Sequence, residues 1–310
     1  MNLLKTTDIS RQENWRYTRT GEPRGYIETK QLRELWFHTG TACNLACPFC
    51  LEGSKPGDDR LQLMTLADVR PFVDEALQLG VESFSFTGGE PFVARDLHNI
   101  LSYASRHRPC LVLTNATAPL RQRLDQISHL VQAPHPVRFR VSIDYPDPER
   151  HDAGRGEGTF EESLATMKAL HDLGFGLSLA RQWQPDEDTA AVEAGFRAHL
   201  RRHGLPETLH LVSFPDFFPP ASQVRTPDIT ENCMTTYHTP QSRDGFMCAF
   251  SRMVVKSNGH TRVYACTLVD DDTDYDLGGT LRESLAPRVM LGHHRCYSCF
   301  KYGASCSEGS

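Results

Sequence analysis

The sequence predicts an α/β fold, in which a partial (βα)6 TIM barrel is followed by a small C-terminal module built from a hairpin and a helix. Two observations support this prediction. Six short apolar runs alternate with helix-like segments up to about residue 215, and cysteines then crowd the end of the chain. Strands that alternate with helices are typical of parallel βαβ units, and six units are too few for a complete eight-stranded barrel.

Each predicted strand is a short apolar run, and the segments between the runs have helical periodicity. The helix after Thr65 carries its apolar residues on one face. The helix after Thr159 has Glu162 in position for a capping box and Gly174 at its end. The six runs cover residues 32–39, 81–87, 110–115, 138–144, 174–180 and 208–214.

The pattern changes after residue 215. A stretch rich in proline and aromatic residues predicts a linker, and two strand-like runs around Asn258-Gly259 then predict a hairpin. The sequence LGGTLRESL adds a short helix after Gly279. The expected divisions are an N-terminal extension (1–30), the barrel (31–215), a linker (216–246) and the C-terminal module (247–310).

The composition narrows the class of protein. Of the 310 residues, 39% are hydrophobic and 23% are charged, which suits a globular protein with a packed core. The formal charge of -6 gives no indication of nucleic-acid binding, which would favour a basic face. The N-terminus lacks the apolar core of a signal peptide, and no segment approaches the roughly 20 apolar residues that span a bilayer. We therefore expect a cytoplasmic protein without nucleic-acid or membrane partners.

Ten cysteines are many for a cytoplasmic chain, where disulfides are disfavoured and clustered cysteines are typical of metal sites or catalysts. Three of them lie within residues 43–50, and five lie within residues 248–306. Cys110 opens an apolar run and is interpreted as a small buried hydrophobe. Cys233 has no partner by spacing and is left unassigned.

The first cysteine group has the spacing C-x3-C-x2-C, at Cys43, Cys47 and Cys50, directly after the first predicted strand. Three thiolates on one loop can bind three corners of a 4Fe–4S cluster and leave the fourth iron open to another ligand. A closed zinc site needs a fourth protein ligand. The loop also lies at the carboxyl end of a strand, where α/β barrels place active sites.

This spacing resembles the signature of the radical S-adenosylmethionine (SAM) superfamily. The resemblance implies that the open iron binds the amino and carboxylate groups of SAM. It also implies that the reduced cluster cleaves SAM to a 5′-deoxyadenosyl radical, which abstracts a substrate hydrogen. Phe49 matches the aromatic position that lies beside the adenine. A structural zinc site or a chance match is the alternative for the three cysteines.

Further motifs of the same family follow the next predicted strands in order. FTGGEP resembles the loop that meets the amino group of SAM, and VSIDYPDPERHDAGRG resembles the S-x-D-G…H-D-x-x-R-G stretch of sulfatase-maturating and peptide-modifying members. Tyr145 stands where that stretch has glycine. Ser142 and Asp144 match ribose-binding positions, with a helix cap as the alternative, and a surface ion pair is the alternative for Arg155. The resemblance places these residues at the SAM site: Gly88, Gly89, Glu90, Pro91, Asn115 in LTNAT, Ser142, Asp144 and Arg155.

The C-terminal cysteines resemble the twitch module, the one-cluster relative of the SPASM domain, because two cysteines flank the hairpin and a C-x2-C pair follows a short helix. The resemblance implies one auxiliary 4Fe–4S cluster on Cys248, Cys266, Cys296 and Cys299. A four-cysteine zinc site is the alternative. Cys306 could replace a ligand or be spare. The acidic stretch 270–276 is interpreted as a solvated loop, or as a segment that attracts a cationic substrate.

These resemblances imply an enzyme with a radical mechanism. An auxiliary cluster that accepts an electron favours two-electron oxidation of a small molecule, with a flavodoxin- or ferredoxin-type reductant as partner. A peptide maturase forming thioether or carbon–carbon crosslinks is the second hypothesis, although about 30 residues before the first strand are too few for a separate peptide-binding domain. Redox-neutral decarboxylation or epimerisation of a sugar or nucleoside is the third hypothesis. A non-catalytic electron carrier or zinc module is the fourth. No residue is assigned as the catalytic base.

Overall fold

The computed structural model describes residues 15–184, 186–214, 224–303 and 307. The described strands are β1 (Tyr26–Ile27), β2 (Glu34–His38), β3 (Ser83–Thr87), β4 (Cys110–Thr114), β5 (Val137–Ser142), β6 (Gly176–Gln182), β7 (His210–Phe214), β8 (Ser251–Ser257), β9 (His260–Tyr264) and β10 (Val289–Met290). The described α-helices are Leu66–Gln78, Leu97–Ala104, Ala118–Arg121, Leu124–Ile127, Pro148–Arg155, Thr159–Leu173, Thr189–Arg202, Glu231–Thr236, Pro240–Asp244, Met247–Phe250, Leu281–Ser284 and His294–Tyr302. Short 3-10 turns lie at Pro91–Val93, Ser128–Gln132 and Thr273–Tyr275.

One large sheet organises the molecule, with its strands in the order β7-β6-β5-β4-β3-β2-β8-β9. Strands β2 to β7 are parallel neighbours in chain order, as in a partial (βα)6 barrel. Each of them overlaps one of the six apolar runs, so the predicted fold class is confirmed. The carboxyl ends of these strands meet at one edge of the sheet, where the predicted site loops follow them.

The helix Leu66–Gln78 begins as predicted at Thr65. The Thr65 N–H donates to the Asp68 carboxylate (2.8 Å), which completes a capping box. Its buried face, with Val69, Phe72 and Val73 among its members, has the i, i+3, i+4 spacing of an amphipathic helix. The predicted apolar face is therefore the one that covers the sheet.

The predicted start of the next long helix is wrong in detail. Thr159 is the first helical residue, and the preceding Gly158 has a φ of 79°. The carboxylate of Asp152, from the helix before, accepts hydrogen bonds from the N–H groups of Gly158 (2.7 Å) and Phe160 (2.9 Å). Asp152 therefore supplies the cap that was assigned to Thr159 and Glu162. Gly174 closes the helix with a φ of 101°, as predicted.

The predicted hairpin is present as β8 and β9, and its turn residues Asn258 and Gly259 have φ values of 50° and 77°. Strand β8 pairs in parallel with β2, so the hairpin continues the barrel sheet. Strands β1 and β10 pair antiparallel and join the start of the described chain to the tail. Residues 224–246, expected as part of a linker, contain two short helices and bury Met234 and Phe246.

Side chains of the sheet alternate between two hydrophobic clusters. In β2, Leu35 and Phe37 belong to the cluster beneath the outer helices, whereas Trp36 belongs to the second cluster. That second cluster also contains Cys248 and Cys296 of the tail. The inner face of the sheet is therefore covered by the C-terminal module. Within the described ranges, no helix combines the length and apolar content needed to cross a bilayer.

Candidate functional site

The three cysteines of the C-x3-C-x2-C motif lie on the loop after β2, and all three line a cavity of about 220 Å³. The Cys50 N–H donates to the Cys47 carbonyl (3.1 Å), and the Cys43 N–H donates to the Lys55 carbonyl (3.3 Å), which folds the loop back on itself. Burial raises the pKa of the Cys43 thiol to about 11 and also raises the pKa values of Cys47 and Cys50. A bound metal favours the thiolate form at such a site.

Asn115, directly after β4, ties this loop to the barrel. Its amide nitrogen donates to Asn44 Oδ1 (3.0 Å) and lies 3.9 Å from the Cys43 sulfur. The Asn44 amide in turn donates to Thr117 Oγ1 (2.9 Å). Asn115 also lines the cavity, so it both forms the wall of the site and orients a cysteine loop.

The glycines of the FTGGEP loop are required by their close approach to the cysteine loop. Gly88 has a φ of 146°, and a Cβ there would lie 2.7 Å from the Gly40 carbonyl oxygen. A Cβ on Gly89 would lie 2.4 Å from the Ala42 carbonyl oxygen. Both glycines line the cavity, so this loop reaches the predicted site with its backbone.

Glu90 and Pro91 are buried beneath the same loop, and neither is among the described residues that line the cavity. The Glu90 carboxylate accepts hydrogen bonds from the N–H groups of Phe92 (3.1 Å) and Asn115 (2.8 Å). It also accepts one from the Thr114 hydroxyl (2.9 Å). Burial raises the pKa of Glu90 to about 7 despite these bonds. Glu90 therefore holds the ends of β3 and β4 together.

Ser142, Asp144 and Arg155 line the cavity together. Arg155 holds the Asp144 carboxylate in a bidentate ion pair, with Nε to Oδ2 at 2.5 Å and Nη2 to Oδ1 at 3.0 Å. The Arg155 and Asp144 side chains are 13% and 8% exposed, so this is a pair within the cavity wall and not on the surface. The predicted ribose-binding carboxylate is thus fixed in place by the arginine of the same motif.

Tyr145, at the position where the related motif has glycine, contacts the end of β6. Its hydroxyl donates to Gln182 Oε1 (3.3 Å) and accepts from Gln184 Nε2 (3.0 Å). The Arg150 guanidinium lies 3.7 Å from the centre of its ring. The tyrosine side chain that stands in place of glycine therefore joins the segment after β5 to the segment after β6.

Gly154 is a site residue that the sequence analysis missed. A Cβ at Gly154 would lie 2.3 Å from Cε1 of Phe49, so only glycine lets this helix approach the ring. Phe49 lines the cavity, and its place beside the adenine stays a prediction. A glycine within a helix is unfavourable by propensity, and this was the signal that could have identified it.

The remaining cavity wall was not predicted either. Leu51 and Glu52 follow the cysteine loop, and Thr267 and Leu268 follow Cys266. Other described residues that line it are Trp36, Leu45, Ser54, Thr87, Leu113, Thr114, Ala180, Arg181, Gln182 and Phe214. Because residues from both ends of the chain share this wall, the cavity joins the barrel to the C-terminal module.

Arg295 links the two cysteine-bearing segments directly. It is 1% exposed, and its guanidinium donates to the Leu268 carbonyl (2.9 Å) and to the Leu51 carbonyl. Leu51 directly follows Cys50, and Arg295 directly precedes Cys296. One buried side chain therefore spans the gap between the first cysteine loop and the tail.

A polar group of the buried His38 and the half-buried Glu52 and Asp270 lies at the same junction, with ligand atoms all within 4.8 Å of one another. The Gly40 N–H donates to His38 Nδ1 (3.3 Å), so Nε2 carries the hydrogen and faces Glu52 Oε2 (3.3 Å). Burial and the adjacent Glu52 carboxylate raise the pKa of Asp270 to about 7. The first residue of the acidic stretch 270–276 is therefore half-buried beside this group and not fully solvated.

The four C-terminal cysteines predicted as ligands come together in the structure. Burial is the main cause of the raised pKa of Cys248, and the charges of Cys299 and Cys296 add to it. Burial likewise raises the pKa of Cys266, with added contributions from Cys248 and Cys296. Cys296 and Cys299 lie three residues apart on the helix His294–Tyr302, on one face. The thiols of these three segments are thus close enough to influence one another electrostatically.

The spacing of the sulfurs bears on which metal they fit. A tetrahedral zinc ion at 2.3 Å from each sulfur holds the sulfurs about 3.8 Å apart. Among the cysteines that the structure describes, no three sulfurs lie within 4.8 Å of one another. The described cysteines therefore do not form the compact arrangement of a closed zinc site.

The other cysteines stand apart from these two groups. Cys110 is 2% exposed within β4, as predicted for a buried hydrophobe. Cys233 accepts a hydrogen bond from the Thr230 hydroxyl (3.2 Å) in the helix Glu231–Thr236. Cys306 lies outside the described residues, so its role stays a prediction.

Comparison with known proteins agrees with these features. Residues 37–180 match the family described as the Radical SAM superfamily. Mycofactocin maturase MftC of Mycolicibacterium smegmatis is 30% identical over 191 residues, which cover 59% of this chain and 47% of that protein. The antilisterial bacteriocin subtilosin biosynthesis protein AlbA of Bacillus subtilis is 27% identical over 182 residues, covering 58% and 40%. The chain thus spans less than half the length of these relatives.

Solved structures share the fold. Native anSMEcpe with bound AdoMet aligns with a TM-score of 0.59 at 16% identity, over 82% of this chain and 80% of that one. Streptococcus suis SuiB bound to S-adenosylmethionine aligns with a TM-score of 0.59 at 14% identity, over 80% and 63%. The family match covers the cysteine loop, the glycine loop and the segment with Ser142 and Asp144. Residues 37–180 of this chain therefore form a domain that matches the radical SAM superfamily.

Proposed function

We propose that this protein is a radical SAM oxidoreductase that removes two electrons from a small molecule. One observation carries the proposal: the cavity wall contains Cys43, Cys47 and Cys50 together with Thr267 and Leu268, which directly follow Cys266. None of the four predicted auxiliary ligands is among the described residues that line the cavity, so it is the segment after Cys266 that places the predicted auxiliary site next to it. In this proposal, a substrate in the cavity passes one electron to that site.

The residues present fit the cofactors of the family. Three thiolates on one loop, with a cavity beside them, suit a 4Fe–4S cluster that keeps one iron open for SAM, and the four thiols in the tail suit a closed auxiliary cluster. When bound, these groups supply one-electron cleavage of SAM to a 5′-deoxyadenosyl radical and an acceptor for one electron from the substrate. The proposed ligands are Cys43, Cys47 and Cys50 in the barrel (31–215), and Cys248, Cys266, Cys296 and Cys299 in the module (247–310).

The other cavity residues bind and orient SAM in this proposal. Gly88 and Gly89 present backbone groups to its ammonium, because no side chain intervenes. Ser142 and the Asp144 carboxylate accept from the ribose hydroxyls, and Arg155 prevents that carboxylate from rotating. Phe49 lies beside the adenine. A flavodoxin- or ferredoxin-type protein is the proposed source of the first electron.

A peptide maturase is the second candidate function. Its support is that two relatives are named as a maturase and as a bacteriocin biosynthesis protein. A side chain of a bound peptide would then occupy the cavity in place of a small molecule. Both candidates use the same residues for SAM, so they differ in the substrate and in the product.

The stoichiometry of the products tests the oxidation. Oxidation by two electrons predicts one 5′-deoxyadenosine for each molecule of product, with about eight irons in the reconstituted protein. Cys248→Ala and Cys266→Ala should each retain SAM cleavage and lose most product formation. Full recovery of SAM, or a product at the oxidation state of the substrate, would replace the oxidation with the redox-neutral chemistry. About four irons with one zinc would assign the module a structural role.

A further inference from the structure

Arg181 is a charged residue of the cavity wall that the proposed SAM site does not use. It lies in β6, close to its carboxyl end, and is 1% exposed. Its Nη1 contacts Glu187 Oε1 (2.6 Å) and donates to the Gln182 carbonyl (3.3 Å). Glu187 is itself held, since it accepts from the Gln184 N–H (3.2 Å) and the Thr189 hydroxyl (3.2 Å). The guanidinium is therefore fixed from one side.

The opposite edge of the Arg181 guanidinium has no partner. Its Nε and Nη2 atoms are buried and make no hydrogen bond to any residue that the structure describes. The Nε–H and one Nη2–H point the same way, which forms the fork that matches a carboxylate or a phosphate. Leaving a buried donor unsatisfied destabilises the folded protein, and more so when the donor is charged. A ligand that pairs with this edge would remove that destabilisation.

Other arginines of this chain use the same edge for a carboxylate. In each case Nε and Nη2 together contact one acidic side chain, at distances between 2.5 and 3.1 Å. The pairs are Arg60 with Asp58, Arg155 with Asp144 and Arg201 with Glu207. Arg181, a residue of the cavity wall, has the same fork on its buried Nε–Nη2 edge, with no carboxylate of the described chain opposite it.

We propose that the Nε–Nη2 edge of Arg181 binds an oxyanion of the substrate, a carboxylate or a phosphate, and so selects substrates that carry one. The inference rests on the proposed function, because it takes this cavity as the active site. Glu187 balances the charge of Arg181, so recognition depends on the direction of the two N–H groups and not on net charge. SAM brings its own carboxylate, and the experiment separates the two ligands.

The test uses sodium acetate and inorganic phosphate as probes of the reconstituted, SAM-saturated protein. The melting temperature is followed against probe concentration, with sodium chloride keeping the ionic strength constant. We expect a saturable rise with acetate if the group is a carboxylate, or with phosphate if it is a phosphate. Arg181→Lys should weaken the apparent affinity at least about tenfold, because lysine lacks the fork. Arg201→Gln, which removes an arginine outside the cavity wall, should leave it unchanged.

Two results would overturn the inference. One is the absence of a saturable rise with both probes in the unaltered protein, which would mean that bound water or nothing pairs with this edge. The other is a parallel fall of SAM affinity in Arg181→Lys, which would assign the edge to SAM. If that variant does not fold, Arg181→Gln/Glu187→Gln removes both charges and answers the same question. Iron content and SAM cleavage are measured separately, so a failure of the proposed function is recognised independently of anion binding.

Discussion

At the scale of single residues, the sulfurs of Cys43, Cys47 and Cys50 carry the strongest prediction. All three line the cavity, and burial disfavours their thiolates unless a metal is bound. Replacing all three by alanine should remove about four irons and abolish SAM cleavage, measured by iron analysis and 5′-deoxyadenosine formation. Cys233→Ala is the matched control and should change neither quantity. Continued SAM cleavage by the triple variant would refute the ligand assignment.

Glu90 predicts a dependence of stability on pH. Burial raises its pKa from 4.5 to about 7, so the folded protein binds this proton more tightly than the unfolded chain does. The folded state is therefore favoured at low pH, and about 3 kcal/mol is lost as pH rises from about 4.5 to about 7. We therefore expect the free energy of unfolding of metal-free Glu90→Gln, measured in urea, to fall less between pH 5 and pH 7.5 than that of the unaltered protein. Asp270 contributes with the same sign in both proteins. An equal fall of the unfolding free energy with pH in Glu90→Gln and in the unaltered protein would therefore contradict the assignment.

At the scale of elements, the helix Pro148–Arg155 positions both Phe49 and Arg155. Gly154→Ala would place a methyl group 2.3 Å from Phe49, and overpacking of this kind costs about 1–3 kcal/mol. We expect SAM affinity, measured by equilibrium binding, to fall about tenfold as the ring is displaced. Ala153→Gly in the same helix lowers helix stability by about 1 kcal/mol without this contact, and its SAM affinity should stay near that of the unaltered protein. Equal losses in both variants would point to helix stability instead.

At the scale of the whole molecule, Arg295 joins the barrel to the C-terminal module. Arg295→Lys keeps the charge but cannot reach both carbonyls in the same geometry, so unfolding free energy should fall by about 2–4 kcal/mol. We also expect more 5′-deoxyadenosine per product, since the two cysteine sites lose their fixed separation. Arg288→Lys alters an exposed pair with Glu28 and should change stability by less than about 1 kcal/mol. An unchanged unfolding free energy and an unchanged ratio of 5′-deoxyadenosine to product in Arg295→Lys would show that other contacts hold the module.

Local patterns are the part of this protein that its sequence determines by itself. Alternating apolar runs predicted β2 to β7, and the Asn258-Gly259 turn predicted β8 and β9, because both signals depend on residues that are neighbours in the chain. The spacing of Cys43, Cys47 and Cys50 predicted the loop that lines the cavity for the same reason. Resemblance to family motifs then identified Gly88, Gly89, Asn115, Ser142, Asp144 and Arg155, all of which line it.

Only the tertiary structure decided which distant residues meet. Asp152 replaced Glu162 at a helix start, Glu90 lies under its loop instead of in the cavity wall, and Gly154 contacts Phe49. Arg295 reaches the carbonyl of Leu51, 244 positions away, and no local spacing encodes such a contact. The open edge of Arg181 is likewise a property of everything packed around it. Spacing along the chain specifies what a segment can form, whereas packing of the whole chain specifies which side chains are satisfied and which remain available to a ligand.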